Sequence, residues 1–173
     1  MKWFSAQSFK VQVLFLALVP PAVIMVLLIW GHTIVMRDRV IESFVTTARD
    51  ICLMTESVRD GMEGKWAKGV FSVDMLREKI AAGERDLALD MVPVVTAWRA
   101  AMAKAEEGGY TFKVPKFYPR NPKNEPDPVE ADVLRTLEKG DISEYFLVDR
   151  ELNAVRYFRP VKLTESCLIC HGD

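Results

Sequence analysis

The sequence predicts an α+β protein whose N-terminal helix lies in a membrane. Three observations indicate this class: an uncharged apolar run from Val11 to Met36, helical periodicity in the segments that follow, and two strand-like runs near the C-terminus. Helices that pack on one face of a small antiparallel sheet form an α+β arrangement. We therefore expect residues 1–36 to form an N-terminal tail and transmembrane anchor, and residues 37–173 to form one folded domain.

The apolar run has the length of a membrane-spanning helix. It would extend roughly 39 Å at ~1.5 Å per residue, and a hydrocarbon core is ~30 Å thick. Pro20–Pro21 lies in its middle and should kink it, which membrane helices tolerate. The run exceeds the ~7–15 residues of a secretory signal core, so we expect an uncleaved anchor. Lys2 and Lys10 before the run balance Arg37 and Arg39 after it, so charge alone does not set the orientation.

Three helices are predicted between the anchor and residue 108. The first follows the anchor directly, has apolar residues at helical spacing, and should fade near Gly61 and Gly64. Ser72 is suited to cap a second, short helix. The third covers residues 93–107, because a proline occupies its first turn and a pair of glycines follows its end.

The C-terminal third is predicted to contain one strand, one helix and a hairpin. YTFKV at 110–114 alternates in polarity between turn residues, which is typical of a strand. A proline-rich loop follows, and then a short helix over 129–140 that ends at a glycine. ISEYFLVDR and NAVRYFRPV flank Glu151-Leu152 and predict a β-hairpin.

Composition excludes several classes of function. The formal net charge is −1, so the chain lacks the basic excess that a nucleic-acid-binding surface requires. His32, within the apolar run, is the only histidine other than His171, and no Ser/His/Asp set exists. We therefore do not expect an enzyme. The chain has three cysteines, an odd number, so at least one has no intramolecular thiol partner.

Residues 167–171 read Cys-Leu-Ile-Cys-His, a C-x-x-C-H motif. Covalent haem attachment requires two thiols, one for each vinyl group, and an adjacent axial nitrogen. The motif therefore predicts one haem c, bound through Cys167 and Cys170, with His171 as the proximal iron ligand. Haem of this type is attached outside the cytoplasm. We thus expect a single-pass inner-membrane protein. Residues 1–36 would form the cytoplasmic N-terminus and the transmembrane anchor, and residues 37–173 would lie in the periplasm.

Three other interpretations of the motif are weaker. A thioredoxin-like C-x-x-C would follow a buried strand in a βαβ unit, and no such unit is predicted here. A zinc site would need four ligands, and the adjacent Cys170 and His171 are poorly placed to share one tetrahedron with Cys52 and Cys167. A disulfide between Cys167 and Cys170 is the simplest alternative.

Cys52 has two interpretations. It lies on the apolar stripe of the helix after the anchor and is suited to be a small buried hydrophobe. It is also a candidate for the distal iron ligand, where a thiolate would lower the reduction potential. Met54, Met62 and Met75 compete for that position and would raise the potential instead. His32 is a poor candidate because it lies at the membrane.

Two segments resemble a known family. RYFRPVKLTESCLICHGD (156–173) and YTFKVPKFYPRNPKNEPDPVEADVL (110–134) are similar to the single-haem, c-type, PAS-like periplasmic sensor domains of bacteria. These domains precede histidine kinases and chemoreceptors and also occur as stand-alone haem proteins. The resemblance implies a PAS-like antiparallel sheet with a long N-terminal helix packed across it. It also implies that a cysteine on this helix is the distal ligand, and Cys52 fits that position.

The resemblance carries two further implications. Tyr157, Phe158 and the loop 120–124 would lie near the haem, and three arginines are candidate partners of its propionates: Arg120, Arg156 and Arg159. The family continues past its C-x-x-C-H motif with a segment that completes the sheet, whereas this sequence ends at Asp173. We therefore expect either a truncated product or a sheet that is one or two strands short.

The sequence thus favours a membrane-anchored haem sensor that responds to redox state or to a diatomic gas. A membrane-tethered monohaem cytochrome that transfers electrons is the alternative, and an interaction protein with a structural disulfide is a weaker one. The expected partners are the lipid bilayer, a second copy bound through the N-terminal helices, and a signalling module or redox partner.

Overall fold

The protein has an α+β fold, as predicted. It is mostly helical, and the described residues form one small antiparallel sheet. The structure is a computed structural model and describes residues 8–140, 142–163 and 167. By their internal contacts the residues divide into two units, Met1–Phe44 and Val45–Asp173.

A single long helix, α1, covers Phe9–Ala67. By its length and apolar composition it is able to cross a membrane, and it is the one such helix among the described residues. The prediction that this helix ends near Gly61 is wrong, since it continues to Ala67. Burial of Met62 and the hydrogen bond from the Trp66 indole N–H to the carbonyl oxygen of Met91, at 2.7 Å, offset the ~1 kcal/mol that a glycine costs in a helix.

Four shorter helices follow α1 before residue 110, and the sequence predicted the starts of two of them, at Ser72 and Pro93. They are α2 (Val73–Ala81), α3 (Arg85–Asp90), α4 (Pro93–Met102) and α5 (Ala105–Gly108). Ser72 caps α2 as predicted, since its hydroxyl oxygen accepts from the backbone N–H of Met75. The predicted helix over 93–107 is divided into α4 and α5. At this break the Tyr110 hydroxyl donates to the carbonyl oxygen of Ala101 at 2.7 Å. It replaces the backbone donor that this carbonyl would have in an uninterrupted helix.

The prediction of a strand over residues 110–114 is wrong. The segment has no regular structure, although its alternating pattern is that of an extended chain. A strand requires a neighbour in a ladder of backbone hydrogen bonds. Here Lys113 instead donates through Nζ to the Glu125 carbonyl and to the Glu130 carboxylate, both at 2.7 Å, and Lys116 N–H donates to the Asn124 carbonyl.

The predicted helix and hairpin near the C-terminus are confirmed. Helix α6 covers Pro128–Glu138 and begins with a capping box formed by Asp127 and Glu130. Strands β1 (Tyr145–Asp149) and β2 (Ala154–Phe158) pair antiparallel, with Phe146 opposite Tyr157 and Leu147 opposite Arg156. The Asp149 carboxylate accepts from the backbone N–H groups of Glu151 and Leu152, which fixes the turn.

Among the described residues the buried apolar side chains lie in helices, except that of Met91, which directly follows α3. They are Val45, Met62, Ala88, Met91, Ala97, Ala101, Ala105, Val133 and Leu137. Four are alanines of α3 to α5, whose small side chains let these helices approach closely. None lies in the hairpin, so the polar contacts of the hairpin decide how it is held.

Candidate functional site

The two faces of the hairpin have different neighbours because side chains alternate along each strand. One face carries Tyr157, and its side chains meet α1; we call it the α1 face. It consists of Glu144, Phe146, Val148, Val155, Tyr157 and Arg159. The opposite face carries Arg156, which meets the start of α6; we call it the α6 face.

A bidentate ion pair joins the α1 face to helix α1. Arg49 donates through Nε and Nη2 to the two carboxylate oxygens of Glu144, at 2.9 and 2.7 Å. The Tyr157 hydroxyl donates to the same carboxylate at 2.6 Å. Arg49 and then Tyr157 lower the pKa of Glu144 to about 2, while burial and the Glu144 charge raise the pKa of Tyr157 to about 12.

Cys52 lies one turn further along the same side of α1. Arg49, Cys52 and Glu56 follow each other at spacings of three and four residues, which places them on one helix face. Arg159 Nε donates to Glu56 Oε1 at 2.6 Å, so an ion pair flanks the half-buried thiol. Burial and then the charge of Glu56 raise the pKa of Cys52, against the opposing effect of Arg159. The thiol therefore keeps its proton at neutral pH.

The α1 face also retains uncovered apolar surface. Phe146 is 49% exposed and Val148 is 40% exposed, although both lie on the side of the hairpin that meets α1. Val161 and Leu163, in the segment between β2 and the half-buried Cys167, are exposed as well. A flat apolar group placed here would remove this surface from water.

The α6 face is closed by ion pairs. The Arg156 guanidinium lies 2.5 Å from Asp127, 3.3 Å from Glu130 and 3.3 Å from Asp149, and its side chain is 14% exposed. It also lies over the Phe158 ring, 5.7 Å from the centroid. Burial alone would lower the pKa of Arg156, but the Asp127 and Asp149 carboxylates outweigh it and raise the pKa. This arginine is already bound by three carboxylates.

The structure brings together only some of the residues that the sequence singled out. Cys52 and Arg159 are neighbours through Glu56, whereas Arg156 points to the opposite face of the hairpin. Arg120 is exposed in the proline-rich loop. Cys170 and His171 lie outside the described residues, so their predicted roles stay predictions.

The competing methionine ligands differ in position from Cys52. Met54 is 68% exposed, Met75 lies exposed on α2, and Met62 is buried. Met62 lies ten residues from Cys52 on α1, roughly 15 Å along the helix axis at ~1.5 Å per residue. Within the described ranges no group of three or more His, Cys, Asp or Glu side chains is placed to hold a metal ion.

Sequence reasoning missed the polar groups that surround Cys52. Arg49, Glu56 and Glu144 were not predicted to be part of a site. The spacing of Arg49, Cys52 and Glu56 was a readable signal that they share one face of a helix. Their partners on the hairpin lie about a hundred residues away along the chain, and no local pattern identifies such pairs.

Together these features define a class of protein: an α+β domain behind an apolar helix, in which a cysteine-bearing helix face meets one side of a hairpin. Residues 37–173 match the model of the family described as Tll0287-like. The chain therefore belongs to the Tll0287-like family. Searches of curated proteins and of solved structures found no match.

Proposed function

We propose that the chain is a membrane-anchored c-type haem sensor domain that responds to redox state or to a diatomic gas, without enzymatic turnover. In this proposal Cys167 and Cys170 hold one haem c covalently, His171 is the proximal iron ligand, and Cys52 is the distal ligand. Residues 1–36 form the cytoplasmic N-terminus and single transmembrane anchor, and residues 37–173 form a PAS-like domain in the periplasm.

The observation that carries this proposal is the position of Cys52. Its thiol is half-buried on the side of α1 that meets the hairpin, beside the Glu56–Arg159 ion pair. Arg159 directly follows β2, and Cys167 comes eight residues later in the sequence. A group attached at Cys167 is thus tethered nine residues from the end of the strand that precedes Arg159. The exposed Met54 and the distant Met62 do not share this position.

The described residues fit a haem. A porphyrin needs an apolar surface, and Phe146 and Val148 offer one that the described chain leaves uncovered. Its propionates need cations, and Arg159 and Arg120 are the available candidates, since Arg156 would first have to leave three carboxylates. When bound, a haem supplies an iron whose axial positions respond to oxidation state and to small gases.

The residues of the chain supply the coupling between Cys52 and the hairpin. When Cys52 is not bound to a metal, its thiol keeps its proton on Sγ, because burial and the charge of Glu56 disfavour the thiolate. Arg159 opposes this effect and joins Glu56 to β2. A change of charge at Cys52 therefore alters the Glu56–Arg159 pair first, while the Arg49–Glu144–Tyr157 contacts hold the hairpin in register against α1.

The first test is attachment. The full chain, produced in cells that attach c-type haem, should be coloured and should have the mass of the polypeptide plus one haem. Cys167→Ala combined with Cys170→Ala should yield the bare mass and no visible absorption. A colourless wild-type chain with the bare mass would contradict the proposal outright.

The second test is ligation by Cys52. Cys52→Ala should change the oxidised absorption spectrum, because a sulfur donor at the iron is lost. Leu53→Ala, at the next and partly exposed position of α1, is the matched control and should leave the spectrum unchanged. If both variants retain the wild-type spectrum, Cys52 is not the distal ligand.

The third test separates a sensor from a tethered electron-transfer cytochrome. Carbon monoxide or nitric oxide added to the reduced protein should bind rapidly if the distal ligand is displaceable. A spectrum that does not respond to either gas, with one ligand set in both oxidation states, would favour electron transfer instead.

A further inference from the structure

Helix α1 carries a second stripe of residues that the proposed haem site does not use. In the part that follows the anchor, apolar or small residues recur at alternating spacings of three and four: Thr47, Ile51, Met54, Val58 and Gly61. The same spacing continues upstream in the sequence at Phe44 and Val40. A 3-4 repeat is the heptad pattern by which two helices pack side by side.

This stripe, which we call the heptad seam, is incompletely covered in the described chain. Met54 is 68% exposed and Phe44 is 58% exposed, whereas Ile51 and Val58 are half-buried. Large apolar side chains at this level of exposure are more often part of a contact surface when they align along one helix than when they are scattered.

The heptad seam and the Cys52 side of α1 point in different directions. At about 100° per residue, the seam between Thr47 and Gly61 is centred roughly 170° around the helix from the centre of Arg49, Cys52 and Glu56. The hairpin binds two of the latter three directly, since Glu144 pairs with Arg49 and Arg159 pairs with Glu56. A partner on the seam would therefore leave the hairpin and the thiol undisturbed.

The charges beside the seam favour a second copy of this chain as the partner. In a parallel pair the flanking positions of one helix face those of the other, so like charges there would repel. In this chain the flanking positions hold Ser43, Ala48, Thr55 and Ser57, and the single charged one is Asp50, which would face Thr55. The charged residues Arg49, Glu56, Arg59 and Glu63 all lie on the other side.

The size of the seam indicates how strong such a contact is. Residues 40–61 span roughly 33 Å as a helix and offer about a dozen contacting residues to a partner. Stable interfaces between soluble proteins use ~20–30 residues on each side. The seam is thus small for a soluble dimer, but an anchor that confines copies to one bilayer with one orientation raises their effective concentration.

We propose that two copies of this chain associate in parallel through the heptad seam of α1, which leaves the Cys52 sides of the two helices facing outward. The association is independent of haem attachment, because no residue of the seam belongs to the proposed haem site. The two-fold axis of the pair then runs along the seam.

Cysteine cross-linking of the full chain in lipid vesicles tests the proposal. Met54→Cys, on the seam, should give a cross-linked dimer on oxidation, because equivalent positions of a parallel pair face each other. Leu53→Cys, the adjacent and partly exposed position off the seam, is the matched control and should give no more dimer than the wild type. Equal cross-linking at both positions would overturn the proposal.

A charge substitution gives an independent readout. Met54→Glu places two like charges at the seam and should lower the dimer fraction several-fold, as measured by energy transfer between labelled full chains in vesicles. Leu53→Glu should leave that fraction unchanged. A wild-type chain that is monomeric at every protein-to-lipid ratio would also refute the proposal. The visible spectrum of the haem protein should be the same in both variants, so failure here is distinct from failure of the haem assignment.

Discussion

On the α6 face of the hairpin, Arg156 is surrounded by three carboxylates, whereas on the α1 face Phe146 and Val148 remain exposed beside a half-buried thiol. Both faces belong to the same two strands, and each has one arginine. Arg156 lies within β2 on the α6 face, and Arg159 directly follows β2 on the α1 face. Their neighbours differ: Arg156 lies beside three carboxylates of the folded chain, whereas Arg159 forms an ion pair with Glu56.

The difference separates a structural role from a functional one. A buried arginine with three carboxylate partners holds α6, the turn of the hairpin and β2 together, and any other anion would have to displace one of them. The α1 face holds the hairpin by polar contacts at its edge but leaves apolar surface in reach of Cys52. We therefore expect substitutions on the α6 face to affect stability, and substitutions around Cys52 to affect ligand chemistry.

The largest expected effect is that of Arg156→Ala. It should lower the free energy of unfolding by about 2–3 kcal/mol, somewhat less than the ~3–5 kcal/mol of a fully buried pair, because Asp127 is partly exposed. Arg159→Ala, the matched control on the α1 face, should cost about 1 kcal/mol or less. Urea denaturation of the full chain in detergent measures both, and equal losses would break the distinction between the two faces.

A second prediction concerns acid. Because Arg49 and Tyr157 lower the pKa of Glu144 from 4.5 to about 2, the stabilisation that they provide is complete above pH ~4.5 and is lost as the pH falls toward 2. Glu144→Gln removes the titrating group. The difference in unfolding free energy between wild type and variant should therefore be constant at neutral pH and shrink below pH ~4.5.

Denaturation measured at a series of pH values between 2 and 7 checks this, since the other carboxylates titrate in both proteins and cancel in the difference. A difference that does not change with pH would show that Glu144 is not bonded to Arg49 in solution.

The smallest expected effect is that of Tyr157→Phe. It removes one hydrogen bond to Glu144 and keeps the ring, so the cost should be about 1 kcal/mol. Tyr145→Phe, on the opposite face of the hairpin, is the control and should be nearly neutral. The same denaturation experiment distinguishes them. A cost for Tyr157→Phe as large as that of Arg156→Ala would mean that the α1 face is as tightly closed as the α6 face.

The elements with local signals were predictable from sequence. Ser72 before α2, Pro93 in the first turn of α4 and the residue pattern around Glu151-Leu152 each act through neighbouring residues, and the structure has a helix start or a turn at each place. The place of Cys52 on a helical stripe was predictable for the same reason, whereas its candidacy as a ligand came from its being the odd cysteine and from the family resemblance.

The contacts that depend on tertiary structure were not predictable. The segment at 110–114 has the pattern of a strand, but pairing depends on a neighbour that a local pattern does not contain. Likewise, nothing near Glu144 indicates that Arg49 binds it, since the pair forms only when the hairpin meets α1. The prediction that α1 ends near Gly61 failed because the contact between Trp66 and Met91 is also long-range.

Asp127 couples the formation of the start of α6 to the docking of strand β2. Its carboxylate accepts from the backbone N–H of Glu130, which starts α6, and from Arg156 of β2. When the first turn of α6 frays, the ion pair between Asp127 and Arg156 is weakened. When β2 separates from α6, the Asp127 carboxylate loses the arginine that holds it at the helix start. The amide protons of Glu130 and of β2 should then exchange with solvent as one cooperative unit, although more than twenty residues separate them along the chain.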